Sequence, residues 1–367
     1  MLVCHIMIVK RIIPVQEMED KNTQNINEMI EFLSTIYPVR KRGVSPIPRN
    51  QKCFQLVSIG TANNPNGIFK TMWSWLIEGQ IILTQEKNQV CIDVMIKDHI
   101  NEDHGANEEK ILKDLWKVAK KNEVKALTAK KHDIDRLSDE DIIALSVTHC
   151  IGFIEIYTRT QNKPKRCMVM PKNKGGTLYL RLLNNRFGDN NLSLERVRKF
   201  IVPTMRCILA LHRTARIAHC DLKADNVCIR ISPAGEERVE DDEISIIDFT
   251  EARGVKDLKT YTGRRLEQRQ KYSFYHPSHE AITGGQEDLY SLGVLIVQIL
   301  SGNTLIYRCE FDETFQNMYE STKMKTHDET KKIREVLDIA KLCMKGNITL
   351  DRAHDLLLQL TLASRMI

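Results

Sequence analysis

The spacing of apolar residues changes about halfway along the chain. From Cys53 to Lys97, apolar and polar positions alternate in three runs, which predicts strands of a half-buried sheet. A charged helical pattern, NEEKILKDLWKVAKK, comes next, and strand-like runs resume in GFIEIYTRT and RCMVMPK. After KGGTLYLRLL the pattern is mainly helical. Strands first and helices afterwards predict an α+β fold with two lobes: a small antiparallel sheet lobe with one helix, and a larger, mainly helical lobe.

Three regions follow from this pattern. Residues 1–50 are predicted to be an N-terminal extension with one helical pattern, INEMIEFLSTIY, followed by a basic segment with prolines. The RKR cluster at residues 40–42 is interpreted as a solvated linker, with a nuclear address or a phosphate-contacting patch as alternatives. Residues 51–172 are assigned to the small lobe, with a polar insertion at about 122–141, and residues 173–367 to the large lobe.

Composition narrows the classes of protein that fit. A chain of 367 residues with 42% hydrophobic and 28% charged residues is globular, and long enough for two lobes. Its longest apolar runs, such as LIVQIL, are too short to span a membrane. Ten cysteines without a CxxC pair predict reduced thiols in an intracellular protein, cytoplasmic or nuclear. The net charge of +6 does not demand a nucleic-acid partner, and neither membrane nor specific nucleic-acid binding is expected.

Polar chemistry is concentrated in three short stretches. HCDLKADN, from His219 to Asn226, lies between an apolar helical pattern and the strand-like VCIRI. In ISIIDFT, Asp248 ends a second apolar strand pattern. In VMIK, Lys97 ends a strand of alternating apolar residues, where a buried ammonium group needs a carboxylate or a phosphate as its partner.

Together these stretches provide the groups that phosphoryl transfer requires. A lysine, then Asp-x-x-x-x-Asn, then Asp-Phe, in this order and spacing, resembles the eukaryotic-type protein kinase family over residues 53–360. The resemblance implies that Asp221 is the catalytic base and that Asn226 and Asp248 bind magnesium. It also implies that Lys223 neutralises charge on the transferring phosphoryl group, as in serine/threonine kinases.

The same resemblance assigns roles in nucleotide binding and in bracing the loop. Lys97 is similar to the lysine of VAIK, with Glu108 as its expected ion-pair partner and Glu109 as the alternative. The segment MVMPKNKGGTL resembles the hinge, which makes Met170 the gatekeeper and implies that the backbone of Pro171 and Lys172 faces adenine. The segment EDLYSLGVLIVQILSG resembles the central buried helix, whose aspartate, at position 288, is expected to brace the catalytic loop.

The chain also departs from the family pattern. IGTANNPNG provides only Gly60 and Gly67 for the glycine-rich loop, so a phosphate-binding turn and an ordinary hairpin turn both stay open. Thr250 replaces the glycine of DFG, and Cys220 replaces the arginine of HRD. In the segment YHPSHE the expected glutamate is displaced, and the arginine that pairs with it in the family corresponds to an apolar position, Leu350.

The resemblance implies a divergent serine/threonine protein kinase. It would transfer the γ-phosphoryl group of ATP, with Mg²⁺, to a hydroxyl of a protein substrate, with ATP between the two lobes. One alternative is a pseudokinase scaffold, which the poor glycine loop and Thr250 favour. The other is a small-molecule phosphotransferase of the aminoglycoside-kinase type, which also uses Asp-x-x-x-x-Asn. DLYSLG and the long stretch from Asp248 to Glu280 favour a protein substrate.

Overall fold

A computed structural model of the chain divides into two compact units, which are described separately. The first unit holds the described residues of 1–116 and 148–174, and the second those of 117–147, 175–230 and 242–367. The structure describes residues 8–14, 40–42, 54–58, 68–70, 74–85, 88–119, 137–148, 152–157, 165–173, 175–183, 192–230, 243–323 and 328–362.

The first unit is built on an eight-stranded antiparallel sheet. Its order is β1-β7-β8-β6-β5-β3, with β2 pairing with β6 and β4 pairing with β5. The strands are β1 (Ile8–Pro14), β2 (Arg40–Arg42), β3 (Phe54–Ser58), β4 (Ile68–Lys70), β5 (Ser74–Gln85), β6 (Asn88–His99), β7 (Gly152–Tyr157) and β8 (Lys165–Pro171). One helix, α1 (Glu102–Ala119), follows β6 and buries the apolar residues Ile111, Leu112 and Leu115.

Two strands lie within the region predicted as an extension. β1 pairs with β7 over the register Ile8 to Tyr157. The RKR cluster is not a solvated linker, because its backbone pairs with β6 as strand β2. The backbone N–H and C=O groups of a strand form hydrogen bonds with the neighbouring strand, so a run of charged residues can pair in a sheet. The predicted helix INEMIEFLSTIY lies outside the described residues, as does most of the predicted insertion, and the predicted domain boundaries stay predictions.

The second unit is mainly helical. Residues 194–215 form one continuous helix, α4, which is α-helical at Leu194–Arg196 and Val202–Ala210 and π-helical at Val197–Ile201 and Leu211–Ala215. The other helices are α2 (Asp139–Ser146), α3 (Leu178–Leu183), α5 (Gly263–Lys271), α6 (Gly284–Ser301), α7 (Arg308–Lys323), α8 (Asp328–Met344) and α9 (Leu350–Leu362). Three two-stranded pairings join them: β10 (Val227–Arg230) with β11 (Glu243–Ile246), β9 (Ile217–Ala218) with β12 (Arg253–Gly254), and β13 (Leu258–Lys259) with β14 (Ile282–Thr283).

Helix α6 is the centre of this second unit. It is buried along almost its whole length, as its nearly continuous apolar run predicts. A capping box between Thr283 and Gln286 starts the helix, and Gly302 ends it with a left-handed φ of 69°. Gly293 lets α8 approach closely, because a Cβ there would lie 2.7 Å from the carbonyl oxygen of Ala340. A rigid buried helix of this kind can hold polar side chains in fixed positions.

The predicted fold class is confirmed. The chain has a small antiparallel sheet with a helix in one unit and a mainly helical second unit, which is an α+β arrangement. Within the described residues, no helix combines the length and the apolar character that crossing a membrane requires.

Candidate catalytic site

The first unit buries a lysine and a carboxylate as a pair. Lys97, near the end of β6, and Glu108, in α1, are only 4% and 0% exposed. Lys97 Nζ lies 2.7 Å from Glu108 Oε2, and His99 Nε2 lies 3.1 Å from the same oxygen. Isolated charges in such an environment would be strongly destabilised, so each depends on the other. The arrangement holds an ammonium group at a fixed position beside the sheet.

Glu109, the alternative partner, points elsewhere. Its Oε1 lies 2.9 Å from Lys113, one helical turn further along α1. Adjacent residues of a helix face different directions, so only one of the two glutamates can reach β6. Gly105 allows the close approach, because a Cβ there would lie 3.0 Å from the ring of His99. The structure therefore pairs Lys97 with Glu108.

The segment that resembles a hinge follows β8. Met170 is 8% exposed and is opposite Met95 of β6 in the sheet. The backbone N–H of Lys172 donates to the carbonyl of Asp93, at 2.9 Å, which continues the pairing with β6. The ammonium group of Lys172 lies 2.7 Å from Glu78. Both the backbone N–H and the side chain of Lys172 are thus engaged within the sheet.

In the second unit, Asp288 of α6 holds the catalytic-loop backbone. Its two carboxylate oxygens accept the backbone N–H groups of His219 and Cys220, each at 2.8 Å. Nε2 of His212 lies 2.8 Å from Asp288 Oδ2. Burial alone would raise the pKa of Asp288, but the hydrogen bond and charge of His212 outweigh it and lower that pKa. The expected bracing is confirmed, and it holds Cys220 at a left-handed φ of 61°.

Two side chains of the HCDLKADN stretch converge on the carboxylate of a third, Asp221. Asp221 Oδ2 accepts hydrogen bonds from Lys223 Nζ, at 2.8 Å, and from Asn226 Nδ2, at 3.1 Å. Asn226 Nδ2 also donates to the backbone carbonyl of Asp221, at 2.8 Å. Burial lowers the pKa of Lys223, but the charge of Asp221 outweighs this and raises it well above its ordinary value. Lys223 is therefore a permanent cation beside Asp221.

The β10–β11 hairpin brings the DFT stretch to this loop. Its register pairs Val227 with Ile246, so Asn226 stands just before one strand and Asp248 just after the other. The N–H of Ile247 donates to the carbonyl of Asn226, at 3.0 Å, which extends the pairing by one residue. The two residues predicted to bind a metal therefore lie at the same end of one hairpin.

Asp248 and its neighbours are held by side chains as well. Asp248 has a left-handed φ of 65°, an uncommon conformation for a residue with a side chain. Thr250 Oγ1 donates to Asp248 Oδ1, at 2.5 Å, so the residue that replaces the glycine contacts the carboxylate directly. Phe249 is fully buried, with its ring 4.9 Å from that of His219. His219 Nε2 in turn lies 2.9 Å from the carbonyl oxygen of Ile247, which ties the two stretches together.

A buried cluster of charges fixes the segment that follows. Glu287 of α6 lies 3.1 Å from Arg253 and 2.9 Å from Arg269, and both Glu287 and Arg269 are almost fully buried. The guanidinium group of Arg269 stacks over the ring of Tyr261, at 3.8 Å. Arg253 Nη1 donates to the hydroxyl of Tyr261, at 3.2 Å. The segment from β12 to α5 is thereby attached to α6.

Arg308 holds the next stretch of backbone. Its guanidinium group donates to the carbonyls of Arg269, Gln270, Tyr272 and Tyr275, at 2.7–3.0 Å. Neither member of the family's expected glutamate–arginine pair contributes, since Glu280 is exposed and the apolar Leu350 is buried. An arginine with several carbonyl acceptors satisfies its donors without a carboxylate.

The structure brings some of the predicted site residues together, and others lie outside the described residues. Each unit brings together its own candidate residues: Lys97 with Glu108 in the first, and Asp221, Lys223 and Asn226 in the second. Gly60 and Gly67 lie outside the described residues. Several contributors were not found from the sequence, among them His99, Glu78, His212, Glu287 and Arg308. Glu78, His212, Glu287 and Arg308 have partners that are distant in the chain, and no sequence motif links His99 to Glu108.

Comparison with known families gives the class of the protein. A sequence model of the protein kinase domain matches residues 106–360, which is more than half of the chain. The chain therefore belongs to the protein kinase family, as its resemblance to eukaryotic-type kinases predicts. The match includes the catalytic loop, the DFT stretch and α6, and it begins after Lys97.

Proposed function

We propose that this protein is a serine/threonine kinase that transfers the γ-phosphoryl group of ATP to a hydroxyl of a protein substrate. The observation that carries the proposal is the arrangement at Asp221, whose carboxylate is bound by Lys223 and Asn226 at 2.8 and 3.1 Å. A general base and a fixed cation side by side are what phosphoryl transfer to a hydroxyl requires.

In the proposed reaction, Asp221 orients the acceptor hydroxyl and receives its proton. Both side-chain hydrogen bonds described above end on Oδ2, so Oδ1 is the oxygen that takes the proton. The acceptor oxygen forms a bond to the γ-phosphorus, the bond from that phosphorus to the β-phosphate oxygen breaks, and ADP leaves. Lys223, held as a cation, offsets negative charge on the transferring group.

The residues present fit a magnesium ion. Asn226 uses its Nδ2 on Asp221, which leaves the amide oxygen as a ligand, and Asp248 contributes a carboxylate. Among the described residues there is no group of three or more His, Cys, Asp or Glu side chains that could hold a metal. Mg²⁺ takes oxygen ligands and is commonly bound by one or two protein groups together with substrate phosphates and water. When bound, the ion would neutralise charge on the triphosphate.

Nucleotide-binding roles are proposed for the first unit. The ammonium group of Lys97, oriented by Glu108, would contact phosphates of ATP. The backbone of Lys172, which continues the pairing of β8 with β6, would contact adenine beside Met170. Gly60 and Gly67 are proposed to cover the phosphates. An intracellular location, cytoplasmic or nuclear, fits a protein that uses ATP and carries unpaired cysteines.

The experiment is to incubate the purified full chain with γ-labelled ATP, Mg²⁺ and generic proteins such as casein and histone, and in a parallel reaction with an aminoglycoside. Label on phosphoserine or phosphothreonine after acid hydrolysis, lost when EDTA is added, is the expected result. Label on phosphotyrosine alone would contradict the assigned specificity. Nucleotide binding without transfer would favour a pseudokinase, and label on an aminoglycoside but on no protein would favour a small-molecule phosphotransferase.

A further inference from the structure

The segment from Glu251 to Tyr272 is strongly basic. It contains seven arginines and lysines against three carboxylates. Helix α5 alone carries four of these cations, Arg264, Arg265, Arg269 and Lys271, and one carboxylate, Glu267. Such a density of positive charge next to a catalytic residue raises the local concentration of anionic groups.

Contacts between side chains connect α5 to the catalytic loop. Lys223 Nζ lies 5.5 Å from the centre of the Phe274 ring, and the rings of Phe274 and Tyr275 are 4.6 Å apart. The guanidinium group of Arg269 lies 5.0 Å from the centre of the Tyr275 ring. Two aromatic side chains therefore separate α5 from the lysine that is paired with the proposed base. A peptide whose hydroxyl reaches Asp221 would lie within a few residues of this helix.

The two faces of α5 are used differently. Arg265 and Arg269, one turn apart, are paired with carboxylates of the protein: Arg265 with Glu251, which also lies 3.3 Å from Lys259, and Arg269 with Glu287. Arg269 is buried, whereas Arg265 is partly exposed. Both ion pairs attach the helix to the rest of the unit.

Arg264 and Lys271 are the two cations of the outer face of α5. Both are exposed, and neither is ion-paired with a carboxylate of the described residues. They are seven residues apart, which places them on one side of the helix with a rise of about 10 Å between them. The exposed Glu267 lies between them on the same side. Lys271 also lies 5.2 Å from the ring centre of the exposed Tyr307, so the outer face carries two cations, one carboxylate and an aromatic neighbour.

We propose that the two cations of the outer face of α5, Arg264 and Lys271, select protein substrates that carry anionic residues close to the acceptor hydroxyl. This inference rests on the proposed function and names the class of substrate for that site. The anionic group is a carboxylate or a phosphate, since both have oxygens that pair with a guanidinium or ammonium group. Two acidic residues three positions apart in an extended peptide are about 10 Å apart, which matches the spacing of the two cations.

The test uses peptides that differ only in the residues that flank one serine. One peptide has alanines, one has aspartates three positions apart, one has phosphoserine at the same places, and one has lysines. For the full-length wild-type protein we expect kcat/KM for the aspartate or phosphoserine peptide to exceed that for the alanine peptide about tenfold or more. In the variant Arg264→Glu/Lys271→Glu this ratio should fall to about one, while turnover of the alanine peptide is retained.

A matched control separates this effect from a general change of charge. Lys345 and Arg352 are also exposed, lie in the same unit and are far from α5 in the sequence, so the variant Lys345→Glu/Arg352→Glu changes the net charge equally. We expect it to keep the preference for anionic peptides. Equal loss in both variants, or a wild-type enzyme that turns over all four peptides equally well, would overturn the inference.

Binding distinguishes failure of the inference from failure of the proposed function. Fluorescence anisotropy of labelled peptides, with alanine in place of the acceptor serine, needs no phosphoryl transfer. Tighter binding of the anionic peptide that is lost in Arg264→Glu/Lys271→Glu and weakened by salt supports the surface even if no peptide is phosphorylated. Phosphorylation of all peptides without any preference in either assay would leave the function standing and the inference refuted.

Discussion

The carboxylate of Glu287 lies 2.9 Å from the guanidinium group of Arg269, and both side chains are buried. Arg253 approaches the same carboxylate to 3.1 Å. Arg253 and Arg269 stand on either side of the segment between β12 and α5, so a single buried acid holds that segment at two points. Cys220, where many kinases have an arginine, contributes no charge to this region, and burial raises the pKa of its thiol further. Unmodified side chains of the protein, rather than an added phosphate, therefore hold the segment in place.

The first prediction is that activity does not require phosphorylation of this segment. Phosphorylation commonly orders such a loop by pairing with a waiting arginine. Here the arginines already have a carboxylate partner. Among the hydroxyls of the segment, Tyr261 and Ser273 are buried, whereas Thr260 and Thr262 are exposed.

The measurement is to treat the purified protein with a phosphatase, confirm by mass spectrometry that the segment carries no phosphate, and assay it. Unchanged phosphoryl transfer is expected. A loss of about tenfold or more, a barrier change of about 1.4 kcal/mol, that is restored by rephosphorylation would show that another cation takes the role of the absent arginine.

The second prediction concerns Glu287 itself. Glu287→Gln leaves two arginines near a neutral amide in a buried site, and breaking a buried ion pair typically costs about 3–5 kcal/mol. We expect a lower urea midpoint and reduced phosphoryl transfer, because the segment loses its attachment to α6. Glu313→Gln is the matched control, since Glu313 is an exposed residue of α7. Equal unfolding midpoints for wild type and Glu287→Gln would mean that the pair contributes no net stability.

The third prediction is that Asp221→Asn abolishes phosphoryl transfer without unfolding the protein. An amide has the shape of the carboxylate but cannot accept the proton, and positioned general bases contribute on the order of 10²–10⁴ in rate. ATP binding, measured by calorimetry, should persist. Glu313→Gln, which removes an exposed carboxylate of α7, provides the control. Full turnover by Asp221→Asn would show that another group accepts the proton.

Local spacing explains why the catalytic loop could be predicted. Asp221 and Asn226 are five residues apart across one short turn, so their contact follows from the chain between them. The two glutamates of α1 show the limit of such reasoning. Sequence alone favours Glu108 only slightly over Glu109, because the choice depends on which side of α1 faces β6.

Contacts between distant residues could not be predicted in this way. Glu287 meets Arg253 from 34 positions away, and Arg308 reaches the carbonyl of Tyr275 from 33 positions away. No periodicity marks either residue, since a charged side chain is usually exposed. The sequence shows that the family's glutamate–arginine pair is missing. It does not show that Arg308 holds the backbone of this region in its place.

The fourth prediction is a pH dependence of stability at His276. Its Nδ1 accepts the N–H of Ser278, at 3.1 Å, so the ring is neutral, and burial, Arg269 and Arg308 lower its pKa to about 4. The unfolded chain binds this proton near pH 6.5, so the contribution of His276 is fully present above that pH and is lost as the pH falls toward 4. We expect the urea midpoint of wild type to fall more between pH 7 and pH 5 than that of His276→Gln. Parallel decreases would contradict the lowered pKa.

The fifth prediction separates the two roles of Lys97. Lys97→Met removes the cation proposed to bind phosphates, but it also takes the ammonium group away from the fully buried Glu108, which His99 still approaches to 3.1 Å. Removing one partner of a buried pair typically costs about 3–5 kcal/mol, so the single variant is expected to be less stable and inactive. In Lys97→Met/Glu108→Gln the uncompensated carboxylate is gone. This double variant should recover most of the free energy of unfolding and still transfer no phosphoryl group.

Urea unfolding and the labelled-ATP assay measure the two properties independently, with Glu109→Gln as the control on α1. A double variant with wild-type turnover would show that Lys97 serves only the fold, whereas a stable but inactive one separates its part in catalysis from its part in stability.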